Sequence, residues 1–125
     1  MSEESKGTIS IDLGNTNTVI AFQEEKSVRP ILIEIPNITR SAGIIPTAIW
    51  YENETRKSLI GMQALKKLEQ TGNDDYFYSN FKRLIGNPFE EFQKRELTPE
   101  KSGEKFMRTL WENIPNEFNI QRLVL

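Results

Sequence analysis

A chain of 125 residues with 16 Lys plus Arg against 18 Asp plus Glu, and so a net charge of −2, lacks the basic surplus that nucleic acid or an anionic membrane calls for. It contains no cysteine and no histidine, which excludes disulfides, thiolate chemistry and imidazole as metal ligand or general base. Any chemistry must rest on carboxylates, lysines, hydroxyls, backbone amides or a bound cation, within one compact domain or a piece of one.

The opening residues, MSEESK, are polar and acidic, and no apolar run approaches membrane-spanning length. The expectation is a chain without a secretory leader, resident in the cytoplasm. Strand-like runs over 8–13, 18–22 and 31–35, separated by a Gly/Asn turn and a polar connection, predict an antiparallel meander. The second run is apolar on both faces, with Val19 and Ala21 on one and Ile20 and Phe22 on the other, which predicts a sheet covered on both sides. Pro36 stops the third run.

After a looser segment over 37–43, the runs 46–51 and 58–60 predict a second, smaller set of strands. Helical spacing starts at Met62 with Leu65 and Leu68 on one stripe and ends near Gly72, a natural left-handed cap. Over 76–85, Phe77, Phe81, Leu84 and Ile85 recur at three- and four-residue spacing, which predicts a further helical segment closed by Gly86 and Pro88. Thr98-Pro99-Glu100 combines a capping hydroxyl, a proline at the first helical position and an acid against the helix dipole. The helix it opens carries an apolar face of Phe106, Met107, Leu110, Trp111 and Ile114, and Pro115 ends it. The final run, 120–125, is a strand with no turn or polar tail after it, so the expectation is the front portion of something longer.

The stretch ISIDLGNTNTVIAF, residues 9–22, carries the chemistry. Side chains alternate across a strand, so Asp12 points away from the face of Ile9, Ile11 and Leu13 and sits beside a tight turn. Gly14 lets backbone approach a ligand closely, and Asn15, Thr16, Asn17 and their amides supply short donors to phosphate oxygens. A carboxylate beside such donors repels bare phosphate but suits magnesium-nucleotide, with Asp12 acting through water on the ion. There is neither a G-x-x-x-x-G-K-[ST] loop nor a G-x-G-x-x-G string. The same residues also make an ordinary hairpin tip, and Lys82 beside Arg83 also makes an ordinary solvated lysine.

Further strings follow in order: Ile35-Pro36-Asn37, then Pro46-Thr47, then LIGMQA at 59–64, then FKRLIGNPFEE at 81–91. With the opening motif, these closely resemble the start of the ATPase domain of the heat-shock 70 kDa chaperone family (DnaK type), within the actin and sugar-kinase superfold. The resemblance runs from about Thr8 to Leu125, and the Lys-Arg-Leu-Ile-Gly string is its most specific part. It implies ATP or ADP with magnesium as cofactors. It further implies that Asp12 contacts the hydrated ion, that Gly14, Asn15, Thr16 and Asn17 form the first phosphate loop, and that Lys82 is a catalytic lysine reaching the terminal phosphate. Asn15 stands where the family usually has threonine. The connection over 37–46 is one residue longer than usual, and Trp50 and Tyr51 are bulkier than the family's residues there.

The fold so implied is α/β: a ribonuclease-H-like mixed sheet from residues 1–40 and 120–125, with a small α/β lobe from 41–119 inserted. Other carboxylates, the second phosphate loop and the adenosine pocket of the family would lie past Leu125, so the chain alone is expected not to hydrolyse ATP. The resemblance also implies, for the parent protein, unfolded peptide, a J-domain co-chaperone and a nucleotide exchange factor as partners. The alternatives are a sugar-kinase-like or actin-like relative, and a binding module that has lost nucleotide chemistry.

Overall fold

The computed structural model describes residues 5–86 and 96–125. The strands β1 (Ser5–Leu13) and β2 (Asn17–Glu24) form an antiparallel hairpin in which Ile9 opposes Phe22, Ile11 opposes Ile20 and Leu13 opposes Thr18. This register puts the large apolar side chains of both strands on one face. Two short strands share the far edge of β2: β3 (Ile31–Leu32) against Ala21 and Phe22, and β4 (Ile44–Pro46) against 17–19. A second sheet follows, built from β5 (Ala48–Glu52), β6 (Lys57–Ile60) and β7 (Phe77–Ser79), with β5 central and all pairs antiparallel.

The helix α1 spans Met62–Thr71 and stops at Gly72, which takes the left-handed conformation and donates its amide to the Leu68 carbonyl. The helix α2 spans Pro99–Glu112, capped by the Thr98 hydroxyl accepting from the Lys101 amide at 3.1 Å. Finally β8 (Phe118–Val124) returns to lie parallel to β1, making the first sheet mixed, and a register slip at Gly7/Thr8 leaves Gln121 as an extra residue.

One core joins the two sheets. Ile9, Ile11, Ile20 and Phe22 meet Ile49 and Tyr51 from one face of β5 and Phe106 and Leu110 from α2. The ring of Phe118 lies 4.9 Å from that of Phe22, which fastens β8 to the hairpin. The opposite face of β5 presents Ala48 and Trp50 to Ala64 of α1, with Leu59 and Phe77 alongside. Trp50 therefore has a place under α1, and its indole donates to Glu52 at 2.9 Å.

Four expectations are revised. Residues 76–85 form no α-helix: 77–79 pair with β5, Asn80 has φ 57, and only Lys82–Leu84 make a single 3₁₀ turn. The apolar spacing there is met by a strand and a turn, which bury Tyr78, Phe81 and Leu84 while Ile85 is exposed. The third strand is two residues long: the Ile33 amide still donates to the Ile20 carbonyl at 3.2 Å, but Ile20 gives its own amide to Gly43, so the ladder stops there and Ile33 and Ile35 are buried beyond it. The second face of β2 is only half-buried, since α1 and α2 both lie against strands of the second sheet. Trp111 is 47% exposed and stands outside the buried stripe of α2. Pro88, expected to close the 76–85 segment, lies outside the described residues.

Candidate functional site

The β1–β2 connection places five of the six predicted site residues together. Asp12 opposes Val19 on the face of the hairpin turned away from the core, and it is exposed. Beyond it the Gly14 amide donates to the Asn17 carbonyl at 3.1 Å, closing a turn whose tip, Asn15 and Thr16, is exposed. A Cβ at Gly14 would collide with that same carbonyl oxygen, so the turn requires glycine.

The exit of the turn is fixed from outside the hairpin. The Thr47 amide donates to the Thr16 carbonyl at 2.9 Å, and the hydroxyls of Thr18 and Thr47, both buried, lie 2.7 Å apart. Asn17 keeps its side-chain oxygen buried with no hydrogen-bond partner among the described residues. An orphaned amide oxygen costs about 1–3 kcal/mol unless a donor meets it. A hydrated cation or another ligand donor beside the loop would supply one. The residues present therefore fit a magnesium-nucleotide: an exposed carboxylate, a glycine-dependent turn, an unspent acceptor and two exposed polar side chains. Among the described residues no group of three or more His, Cys, Asp or Glu side chains could hold a metal ion by itself.

Lys82 belongs to a different element. It opens the single 3₁₀ turn between β7 and α2, flanked by the buried Phe81 and Leu84, and its side chain is exposed. Among the described residues, no hydrogen bond or ion pair joins it to Asp12 or to the 14–17 turn. The end of its string is tied down instead: the Gly86 amide donates to Glu100 Oε1 at 2.9 Å, in the first turn of α2.

That bond is the leading reason the Glu100 carboxyl lies below the ordinary glutamate value, with its own backbone amide and the Thr98 hydroxyl adding to the effect. A carboxyl depressed in the folded state contributes stability above its unfolded value and loses it as pH falls through the folded one. The Gly86 amide resonance should therefore titrate with a midpoint below the ordinary glutamate value. Glu100→Gln should abolish that titration; a midpoint at or above the ordinary value contradicts the bond.

Thr18 and Thr47 are the residues that sequence reasoning did not single out for the site. Thr47 was visible only within the Pro46-Thr47 string, and its pairing with Thr18 spans 29 residues, so no local pattern announces it. A groove of about 680 Å³ between β6 and α1, floored by Leu59, Met62 and Leu65, contains none of the predicted site residues.

A mixed sheet opening on a hairpin with a glycine turn, joined to a small sheet with helices, is the arrangement of the N-terminal part of an actin-like ATPase. The chain matches the Hsp70 protein family over residues 8–104, which takes in the 12–17 turn and the Lys82 string, and it belongs to that family. Comparison with curated proteins gives no match. Members of the family bind ATP with magnesium. No described helix is long and apolar enough to cross a membrane.

Proposed function

We propose that this chain supplies the first phosphate loop and the catalytic lysine of the ATP-binding, ATP-hydrolysing domain of a DnaK-type cytoplasmic chaperone. In this reading Gly14, Asn15, Thr16 and Asn17 receive the phosphates, Asp12 holds the magnesium ion through its water, and Lys82 faces the terminal phosphate. Asp12 is the residue that would hold magnesium here, and the ion would supply neutralisation of charge on the phosphates. The chain's own residues do the rest: the turn orients donors, and Lys82 offers a point charge where charge develops. Residues 1–40 and 120–125 form the first part of the large subdomain and 41–119 an inserted lobe. The parallel return of β8 to β1 supports that division. Unfolded peptide, a J-domain co-chaperone and a nucleotide exchange factor are the partners of the whole protein.

The observation that carries the reading is the family match across both the Asp12 turn and the Lys82 string, together with a turn that only glycine can make. Isothermal titration of the chain with ATP, with magnesium and with a chelator, tests it. Magnesium should strengthen binding, and Asp12→Asn should remove about 10–100-fold of affinity in the presence of the ion while leaving metal-free ATP unaffected. Affinity indifferent to magnesium, or to Asp12, would refute the assignment.

A further inference from the structure

Thr47 occupies a junction. It follows Pro46, the last residue of β4, and precedes Ala48, the first of β5, so it is the single residue between a strand of the first sheet and the central strand of the second. At that point it makes two separate bonds to the hairpin's turn: its amide to the Thr16 carbonyl at 2.9 Å and its hydroxyl to that of Thr18 at 2.7 Å. The residues held, Thr16 and Thr18, bracket Asn17, whose carbonyl takes the Gly14 amide at 3.1 Å and closes the turn. With Thr18 at 0% and Thr47 at 2% exposure, water does not compete for the hydroxyl pair.

Resting on the nucleotide reading above, we propose that Thr47 is a positioning residue for the phosphate loop, a latch that fixes the exit of the 14–17 turn before any phosphate arrives. Donors held in place beforehand cost nothing to order on binding, so the latch raises affinity without touching the ligand. It also makes the turn answer to the strand that enters the second sheet. The amide bond continues the β2–β4 ladder, in which Asn17 pairs with Pro46, and the hydroxyl bond to Thr18 is what threonine adds to it. Here the amide and the hydroxyl grip the two residues on either side of the turn's closing bond.

The test uses Thr47→Val, which keeps the shape and removes the hydroxyl, and Thr47→Ser, which restores it. Two readouts are taken: Mg-ADP affinity by titration in a protein that carries the complete ATPase domain, and hydrogen exchange of single amides by NMR on the 125-residue chain. Thr47→Val should weaken Mg-ADP and speed exchange of the Gly14 amide, each about tenfold, while amides of α1 and α2 keep their wild-type rates. Thr47→Ser should return both readouts to wild type. If Thr47→Val folds poorly because Thr18 is left an orphan, the Thr18→Val/Thr47→Val pair removes both hydroxyls and should show the same loss at the turn.

Unchanged Gly14 exchange in these variants overturns the latch, as does acceleration spread evenly over both helices, which marks a merely structural role. A protein carrying the complete ATPase domain that fails to bind Mg-ADP overturns the nucleotide reading instead, and the Gly14 exchange rate in the 125-residue chain still decides separately whether Thr47 holds the turn.

Discussion

Lys82→Ala, introduced into a protein that carries the complete ATPase domain, is expected to lower ATP hydrolysis about 10²–10³-fold, the usual cost of removing one preorganised group aimed at developing charge. Mg-ADP affinity should change by less than about threefold, because ADP lacks the terminal phosphate that the lysine is proposed to face and uniform binding is not what is lost. The local structure favours this separation. Phe81 and Leu84 are 0% and 3% exposed, so the 3₁₀ turn is anchored in the core while the Lys82 side chain projects outward. Removing that side chain leaves the anchors untouched. Lys82→Arg should not restore the rate, since a planar fork does not replace a compact point charge. Phosphate release under saturating ATP and calorimetric ADP titration check the two halves; a parallel loss of both, or no loss of either, removes Lys82 from the chemistry.

Gly61→Ala should carry the largest stability cost among the family-like strings, although Gly61 touches no proposed ligand. It has φ 59 and ψ −132, a conformation that glycine dominates, and it stands at the N-cap of α1. A Cβ there would strike the Ile38 carbonyl oxygen and come within 2.9 Å of Ile45 Cγ2. Its own amide donates to Ala48 at 3.1 Å, and the Met62 amide donates to Ile38 at 3.0 Å, so helix, loop and second sheet meet at this one residue. Backbone strain plus the collision should cost about 3 kcal/mol, a large share of a stability of about 5–15 kcal/mol. That corresponds to a fall in Tm of roughly 10 °C for a chain of this size, measurable by thermal unfolding. A fall of a degree or two would mean that the 36–39 loop yields freely to the helix start.

What was legible in the sequence were the features set by local chemistry. Gly72 after the Met62, Leu65, Leu68 stripe marks the end of α1, and Thr98-Pro99 marks the start of α2, because caps act within one turn of the chain. The glycine turn after Asp12 was legible for the same reason. The 76–85 segment was not, since Phe77, Phe81 and Leu84 satisfy helical spacing while the pairing of 77–79 with β5 depends on residues nearly 30 positions away. Asn80, with φ 57, is the one local break, and asparagine tolerates that region without advertising it. The three residues of β4 are too few to give a period, yet they put Thr47 against the turn. Long-range pairing of short segments escapes pattern reading, and the bonds that hold the candidate loop belong to that class.

The proposed function requires the Asp12 turn and the Lys82 turn to serve one nucleotide, though they lie on separate elements. Amide NMR of the chain during titration with Mg-ADP and with a non-hydrolysable Mg-ATP analogue tests this most directly, even if affinity is as weak as about 1 mM. Both nucleotides should shift residues 12–17, and the triphosphate alone should also shift 82–86. Shifts confined to one of the two segments for both nucleotides, or lying in the β6–α1 groove instead, would contradict a shared site.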